Sequence, residues 1–350
     1  MNAITARRWQ TFRENRRSLV ALYLLLGCFV LSLAAELVAN DKPLLVKYKQ
    51  NYLFPMVQTL TEQDFGGDFP LPVIFHDPFI LKNIEAEGWA IWPLVRFSYN
   101  TIASGGGMTF PAPPSARHWL GTDDNGHDIF ARILYGFRLS VLFGLCLTAI
   151  GGVVGILAGV VQGYFGGKLD LLFQRFMEIW GGIPVLYLLI ILGSMVRMTF
   201  WMLLGIMLLF SWMRLVSVVR AESLRVRNLE YVRAARALGV SDWRIMLRHV
   251  LPNALVTVIS ILPFQINASI VTLTALDFLG FGLPPGYPSL GELVAQGKNN
   301  LHAPWIGLTI FGVLSFMLTS LVMIGEGVRD AFDPRIFRVT GARGKRHEQA

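Results

Sequence analysis

Apolar runs dominate this chain, at 19–39, 139–161, 179–196, 200–219, 252–275 and 305–324. Most approach or exceed the roughly 20 residues that cross a hydrocarbon core. Backbone in lipid has no water to bond, so such a run must be a helix that satisfies its own N–H and C=O groups. The pattern predicts an all-α polytopic membrane protein with six transmembrane helices. Composition agrees, with 53% hydrophobic and 15% charged residues. The excess of 31 Lys+Arg over 23 Asp+Glu is read in such a chain by where it sits, so no nucleic-acid partner is expected. Cys28 and Cys146 both fall in apolar runs and imply no disulfide framework. The histidines show no metal-ligand spacing.

One stretch between the spans is polar and rich in arginine: ESLRVRNLEYVRAARALGVSDWRIMLRHVLP, from Glu222 to Pro252. It reads as two short helices separated at Gly239, a residue suited to the left-handed conformation just past a helix end. Ser241 and Asp242 offer N-cap oxygens for the second helix, and Pro252 marks its end. Tyr231, Ala234, Ala235 and Leu238 share one narrow face, kept flat by the alanines. Arg225, Arg227, Arg233 and Arg236 keep its surroundings wet. Such an element suits docking into a groove on a soluble partner; the competing reading is a basic helix lying on anionic lipid.

The spacing Ala234-Ala235, Gly239, Val250-Leu251-Pro252 resembles the cytoplasmic coupling motif of ABC importer permeases. Arg233 stands where that motif has Glu, and His249 where it has Ile. His118–Arg138 (HWLGTDDNGHDIFARILYGFR) resembles the segment before the second span in the dipeptide, oligopeptide and nickel branch, on Gly121, Thr122, Asp123, Gly126, Asp128, Tyr135, Gly136 and Arg138. His127 replaces the usual Arg, which puts in doubt a contact needing a permanent cation. Gly163, Tyr164, Gly166, Gly167 and Asp170, then Arg175, Glu178 and Pro184, match further positions. So do the Asp277–Gly282 loop and the Gly325–Pro334 close. The Yej-type branch, linked with oligopeptides and microcin C, is the most similar in its long insert and in the wording around Tyr231–Gly239.

The resemblance implies an ABC type I importer permease fold with a large periplasmic insert between helices 1 and 2. It places ATPase coupling on Glu230, Ala234, Ala235, Gly239, Leu251 and Pro252. It implies a heterodimeric second permease, two ATPase subunits or one fused ATPase, and a periplasmic binding protein. ATP and Mg would be bound by the partners, with no cofactor in this chain. The implied function is import of an oligopeptide or microcin C-like substrate across the bacterial inner membrane; dipeptide or nickel import is the alternative within the class.

Other features are read from the residues. Gly151, Gly155, Gly159 and Gly163 recur every four residues, a stripe that lets a neighbouring helix approach closely in lipid; the neighbour is not readable. Gly167-Lys168 resembles a phosphate loop only superficially, since Gln162 falls where the first Gly belongs and Leu169 replaces Ser/Thr. Asp123, Asp124 and Asp128 lack calcium-loop spacing. The segment 163–175 is expected to be a short cytoplasmic turn, and Glu178 to pair with Arg175 as a structural clasp or to touch substrate. Pro263, Gln265 and Asn267 suggest a kinked fifth span whose polar face lines a cavity or bonds a neighbour.

The arginine-rich arm before the first span, with the 163–175, 222–252 and C-terminal segments, places both termini in the cytoplasm. The expected division is 1–39 arm and first helix, 40–137 insert with Trp89 and Trp92 forming its small core or a docking surface, 138–326 five-helix core, and 327–350 tail. A secondary transporter driven by an ion gradient, the runner-up, would need paired charges at mid-membrane, and no span centre carries a clear one. No convergent nucleophile, base or metal set marks an enzyme.

Overall fold

The computed structural model describes residues 3–103 and 109–333. Gly105–Gly107 and the tail with Arg335, Arg338, Arg343, Lys345 and Arg346 lie outside them.

The arm is a helix, α1 (Ala3–Glu14), followed by α2 (Arg16–Leu33) and the short α3 (Ala35–Val38). The Asn15 side chain starts α2 by accepting from the Ser18 N–H at 3.3 Å, an N-cap bond. The insert adds a small sheet to an otherwise helical chain. Its strands are β1 (Leu45–Tyr48), β2 (Asn51–Leu53) and β3 (Gly88–Ile91), in the order β2-β1-β3 and antiparallel, with Val46 opposite Leu53 and Ala90. Helix α4 (Pro78–Glu87) covers one face with Ile80 and Ile84, which pack with Val46, Tyr48, Phe65 and Phe75. Trp92 lies against this core, but Trp89 is 43% exposed. Side chains alternate along a strand, and β3 turns Trp89 and Ile91 away from the covered face. Of the two expected places, Trp92 takes the core and Trp89 the surface.

The helical body follows. Helix α5 (Ile129–Phe165) has 37 residues, about 55 Å of helix against a hydrocarbon core of about 30 Å. It begins at Ile129 rather than near Leu139, inside the expected insert, because the Asp128 carboxylate caps it by accepting from the Ala131 N–H at 2.9 Å. Gly166 and Gly167 both have positive φ, +61° and +58°, and α6 (Gly167–Gly181) starts at once. The turn expected over 163–175 therefore shrinks to these two glycines. The third span is not one straight helix: α6 meets α7 (Val185–Met195) at a 56° bend. Pro184 lies at the break, and a proline can neither donate to the preceding turn nor leave the residue before it free to stay helical.

Helices α8 (Phe200–Ser211) and α9 (Met213–Val226) form one apolar stretch. Two short helices, α10 (Glu230–Ala237) and α11 (Asp242–Ile245), lead through a π turn at Met246–Val250 into α12 (Leu251–Phe278). Pro252 does not end a helix, as its residue type suggested. The wider π turn precedes it, and the proline sits in the first turn of α12, where a missing N–H is tolerated. Helices α13 (Leu290–Asn299) and α14 (Pro304–Phe332) complete the body. Among the described residues five helices are long and apolar enough to cross a membrane, six if α6 and α7 make one span.

The glycine stripe of α5 finds its neighbour within the chain. A Cβ at Gly155 would lie 2.5 Å from the Trp212 carbonyl oxygen, one at Gly159 2.7 Å from the Val219 Cβ, and one at Gly163 2.6 Å from the Arg220 carbonyl oxygen. At Gly151 it would lie 2.6 Å from the Ser211 Oγ. Only hydrogen fits between α5 and α9. Gly159→Leu should therefore cost about 1–3 kcal/mol through overpacking and lower the melting temperature of the purified protein in detergent. Gly27→Leu, where a Cβ meets open space, should change it little; equal melting of both variants would show that the stripe does not hold α5 on α9.

Candidate functional site

The glycine contact runs toward the Glu222–Pro252 element, and the C-terminal end of α5 holds that element in place. Arg227 donates from Nη1 to the Gly163 and Tyr164 carbonyls at 3.3 and 3.2 Å, closing the end of α5, where carbonyls lack helical partners. Tyr164 is buried, and its Oη donates to Asp242 Oδ1 at 2.5 Å. The Arg236 guanidinium lies over the Tyr164 ring at 4.9 Å and 3.7 Å from Asp242 Oδ1. One tyrosine thus ties α5 to both α10 and α11. Asp242 is engaged by this bond, and Ser241, at the N-cap position, makes no side-chain cap.

Below these polar ties Val232, Ile245, Met246 and Val250 are buried with Val160, Val219 and Val226. Val232 is the inward anchor of α10, a residue the narrow-face reading did not single out. The face it leaves outward carries Tyr231 (45% exposed) and Leu238 (84%), with Ala234 exposed and Ala235 half-buried; Trp243 (60%) extends it from α11. Glu230 is exposed at the start of α10, Pro252 is exposed and Leu251 half-buried. Asn253 Nδ2 donates to the Tyr231 Oη at 3.2 Å, so the two ends of the motif meet.

Gly239 is exposed with φ +77°. The Val240 N–H donates to the Ala235 carbonyl and the Gly239 N–H to that of Arg236, the paired bonds of a Schellman ending. The expected left-handed break is present. The element is shorter than its sequence suggested, because Glu222–Val226 still belongs to α9.

A second clasp stands beside it. Arg220 on α9 donates from Nε and Nη2 to the two carboxylate oxygens of Asp170 on α6, at 2.5 and 2.7 Å, a planar two-point pairing. The expected pair of Arg175 with Glu178 also forms, at 2.6 Å, but both side chains are well exposed. It joins neighbouring turns of α6, whereas Asp170 and Arg220 join two helices.

The His118–Arg138 motif is a knot of polar side chains at the start of α5. Asp123 is fully buried; its Oδ1 accepts from the His127 and Asn125 N–H groups at 2.7 and 3.0 Å. Its Oδ2 takes Arg132 Nη1 at 2.5 Å, and Arg132 Nη2 reaches Glu292 Oε2 on α13 at 2.6 Å. Burial pushes the Asp123 carboxyl up, but the His127 hydrogen bonds and the Arg132 charge outweigh it and hold it below the usual carboxylate range. Arg132 supplies the permanent cation that His127 left in doubt. Asp128 accepts from His118 Nδ1 at 2.8 Å as well as capping α5. Gly121 and Gly126 have φ of +81° and +82°, with Trp305 and Phe110 close where side chains would stand, and the Thr122 Oγ1 accepts from the Ala112 N–H at 2.8 Å.

Between these two ends, Arg214 stands in the first turn of α9, within the Phe200–Val226 stretch.

Residues 151–338 match the family of the binding-protein-dependent transport system inner membrane component. The chain belongs to that family. It is 54% identical to the inner membrane ABC transporter permease protein YejE of Escherichia coli (strain K12), covering 95% of this chain and 98% of that one. It is 52% identical to the peptidoglycan transport system permease protein YejE of Agrobacterium fabrum, covering 95% and 93%. It is 34% identical to the oligopeptide transport system permease protein OppC of Mycobacterium tuberculosis (strain ATCC 25618 / H37Rv), covering 73% and 87%. The chain is thus a multi-pass inner-membrane permease component, and the carrier driven by an ion gradient is set aside. The ABC importer resemblance and its Yej-type branch are borne out.

In this permease family member the knot at the start of α5 makes a sharp test. Arg132→Gln strands the buried Asp123 charge and should destabilise the protein by about 3–5 kcal/mol, whereas Arg132→Met with Asp123→Leu should recover much of that loss. The depressed Asp123 value means its stabilisation is full above the usual carboxylate range and fades as pH falls through its own lower value. Thermal melting of the single and double variants checks this; a double variant worse than Arg132→Gln would contradict it.

Proposed function

We propose that the chain is the permease subunit of an ATP-driven importer that moves peptides across the inner membrane. Support for the substrate class comes from relatives named for oligopeptide and peptidoglycan transport. Partners are a second permease, two cytoplasmic ATPases or one fused ATPase, and an external binding protein. ATP and Mg belong to the ATPases. Both termini and the Glu222–Pro252 element face the cytoplasm, and the 40–137 insert faces the binding protein.

One observation carries the mechanism: an exposed helix–Gly–helix face mounted on the inner ends of spanning helices. Tyr231, Ala234, Leu238 and Trp243 present a shallow apolar surface that fits a groove. Their own helices are fixed from behind by Val232 and Ile245 and by the bonds of Tyr164, Asp242 and Arg236. When the ATPases close on ATP, a push on this face cannot be absorbed by a soft hinge. It passes to α5, α9 and α12, and the bundle changes the side to which it opens.

Gly239→Val places a β-branched residue at φ +77°, where even ordinary side chains lose about 1–2 kcal/mol. The substitution should leave membrane insertion intact and lower the ATP hydrolysis that cargo and binding protein stimulate in the assembled complex. Normal assembly with normal stimulated turnover would sink the coupling role.

A further inference from the structure

A cavity of about 230 Å³ lies within the helical body, between α5, α7, α8, α9 and α12. It is several times the roughly 30 Å³ share of one water. Its floor is apolar, with Leu147, Val185 and Met207, but a few polar groups converge on it. The Thr148 and Ser211 hydroxyl oxygens are buried without a hydrogen-bond partner among the described residues. Gln265 of α12 also lines it, which places the polar face of the fifth span on a cavity rather than only on a neighbour. Arg214 lines it and is exposed.

Charges within a span are costly to insert and mark pathways or pairs. Three arginines of the helical body have carboxylate partners: Arg132 with Asp123 and Glu292, Arg138 with Glu36, Arg220 with Asp170. Arg214 has no carboxylate partner among the described residues. A guanidinium presents several N–H donors in a planar fork that matches a carboxylate. Resting on the transport reading above, we infer that this cavity is a station on the cargo's path that receives a carboxylate. Arg214 is its counter-ion, and Thr148 and Ser211 are further donors. The open side leaves room for the rest of a peptide. Val185 and Leu186, just past the bend of α6 against α7, also line the cavity, so a change in that bend would open or narrow the station.

The test is uptake into proteoliposomes holding the complete complex, with binding protein in excess. Three peptides of one neutral sequence are compared: the free acid, its C-terminal amide, and the amide carrying one glutamate. For each, the rate with a variant is divided by the wild-type rate, which cancels the binding protein's own preference. Arg214→Gln should reduce uptake of the free acid about tenfold or more, and that of the plain amide far less. Arg214→Lys should restore most of the free-acid uptake. Thr148→Val, nearly isosteric, should lower free-acid uptake by a smaller factor, which keeps the proposal testable if Arg214→Gln does not assemble. A glutamate-bearing amide that behaves like the free acid shows that a side-chain carboxylate serves equally; one that behaves like the plain amide assigns the station to the C-terminus.

Equal losses for acid and plain amide, or no loss for either, would overturn the proposal. Failure of the wild-type complex to take up any of the peptides would overturn the transport reading instead, and this inference with it.

Discussion

Lipid offers no hydrophobic force to draw one helix onto another, so helices are held by close packing and by the polar bonds that packing permits. In this chain that requirement is met along α5. Four glycines at every fourth position bring its backbone against α9, close enough that a single methyl group at Gly155, Gly159 or Gly163 would overlap a neighbouring atom. The contact fixes how the inner ends of the two helices lie. Arg227 then reaches the last carbonyls of α5, Arg220 reaches Asp170, and Tyr164 reaches Asp242. Each of those bonds depends on the helix spacing that the glycines set.

The polar ties sit at the ends and the cavity lies between them. At its N-terminal end, Asp123, Arg132 and Glu292 bind the start of α5 to α13, with Asp128 as its cap. At its C-terminal end, Tyr164 binds it to α10 and α11. A helix of 37 residues, clamped at both ends and packed along its length, can transmit a displacement from one face of the membrane toward the other. The bent α6–α7 pair has fewer such ties on its α7 side, where Leu189 is the one buried residue of the helix. That difference makes it the natural place for movement.

Much of this was legible in the sequence, and the remainder shows what sequence patterns miss. The stripe was visible because a period of four maps directly onto one helix face, and Gly239 because a left-handed ending has a residue preference of its own. The partner of the stripe was not visible, since nothing in a period names the surface it meets. Arg132 was missed because its partners lie 9 and 160 residues away, and an arginine just inside a helix start resembles ordinary interfacial charge. Arg214 was not singled out because it stands out of register with the family's arginine position, which falls at Ser217 here, and the cavity it lines is built from five helices. The bend at Pro184 and the passage through Pro252 went opposite ways for the same residue type. A π turn precedes one proline and not the other, and that is a tertiary choice.

The central claim is that the α10–α11 face meets the ATPase on the cytoplasmic side while the insert lies outside. Cysteine cross-linking in the assembled complex tests it directly, in a background lacking Cys28 and Cys146. Cysteines replace Leu238, exposed on α10, and Glu85, exposed on α4, and a short bifunctional thiol reagent is applied. The account predicts that the position 238 variant cross-links to an ATPase subunit and that the position 85 variant reacts only with reagent supplied from outside the inner membrane. A position 238 variant that reacts from the outside and never joins an ATPase, with position 85 reached only from within, would contradict it.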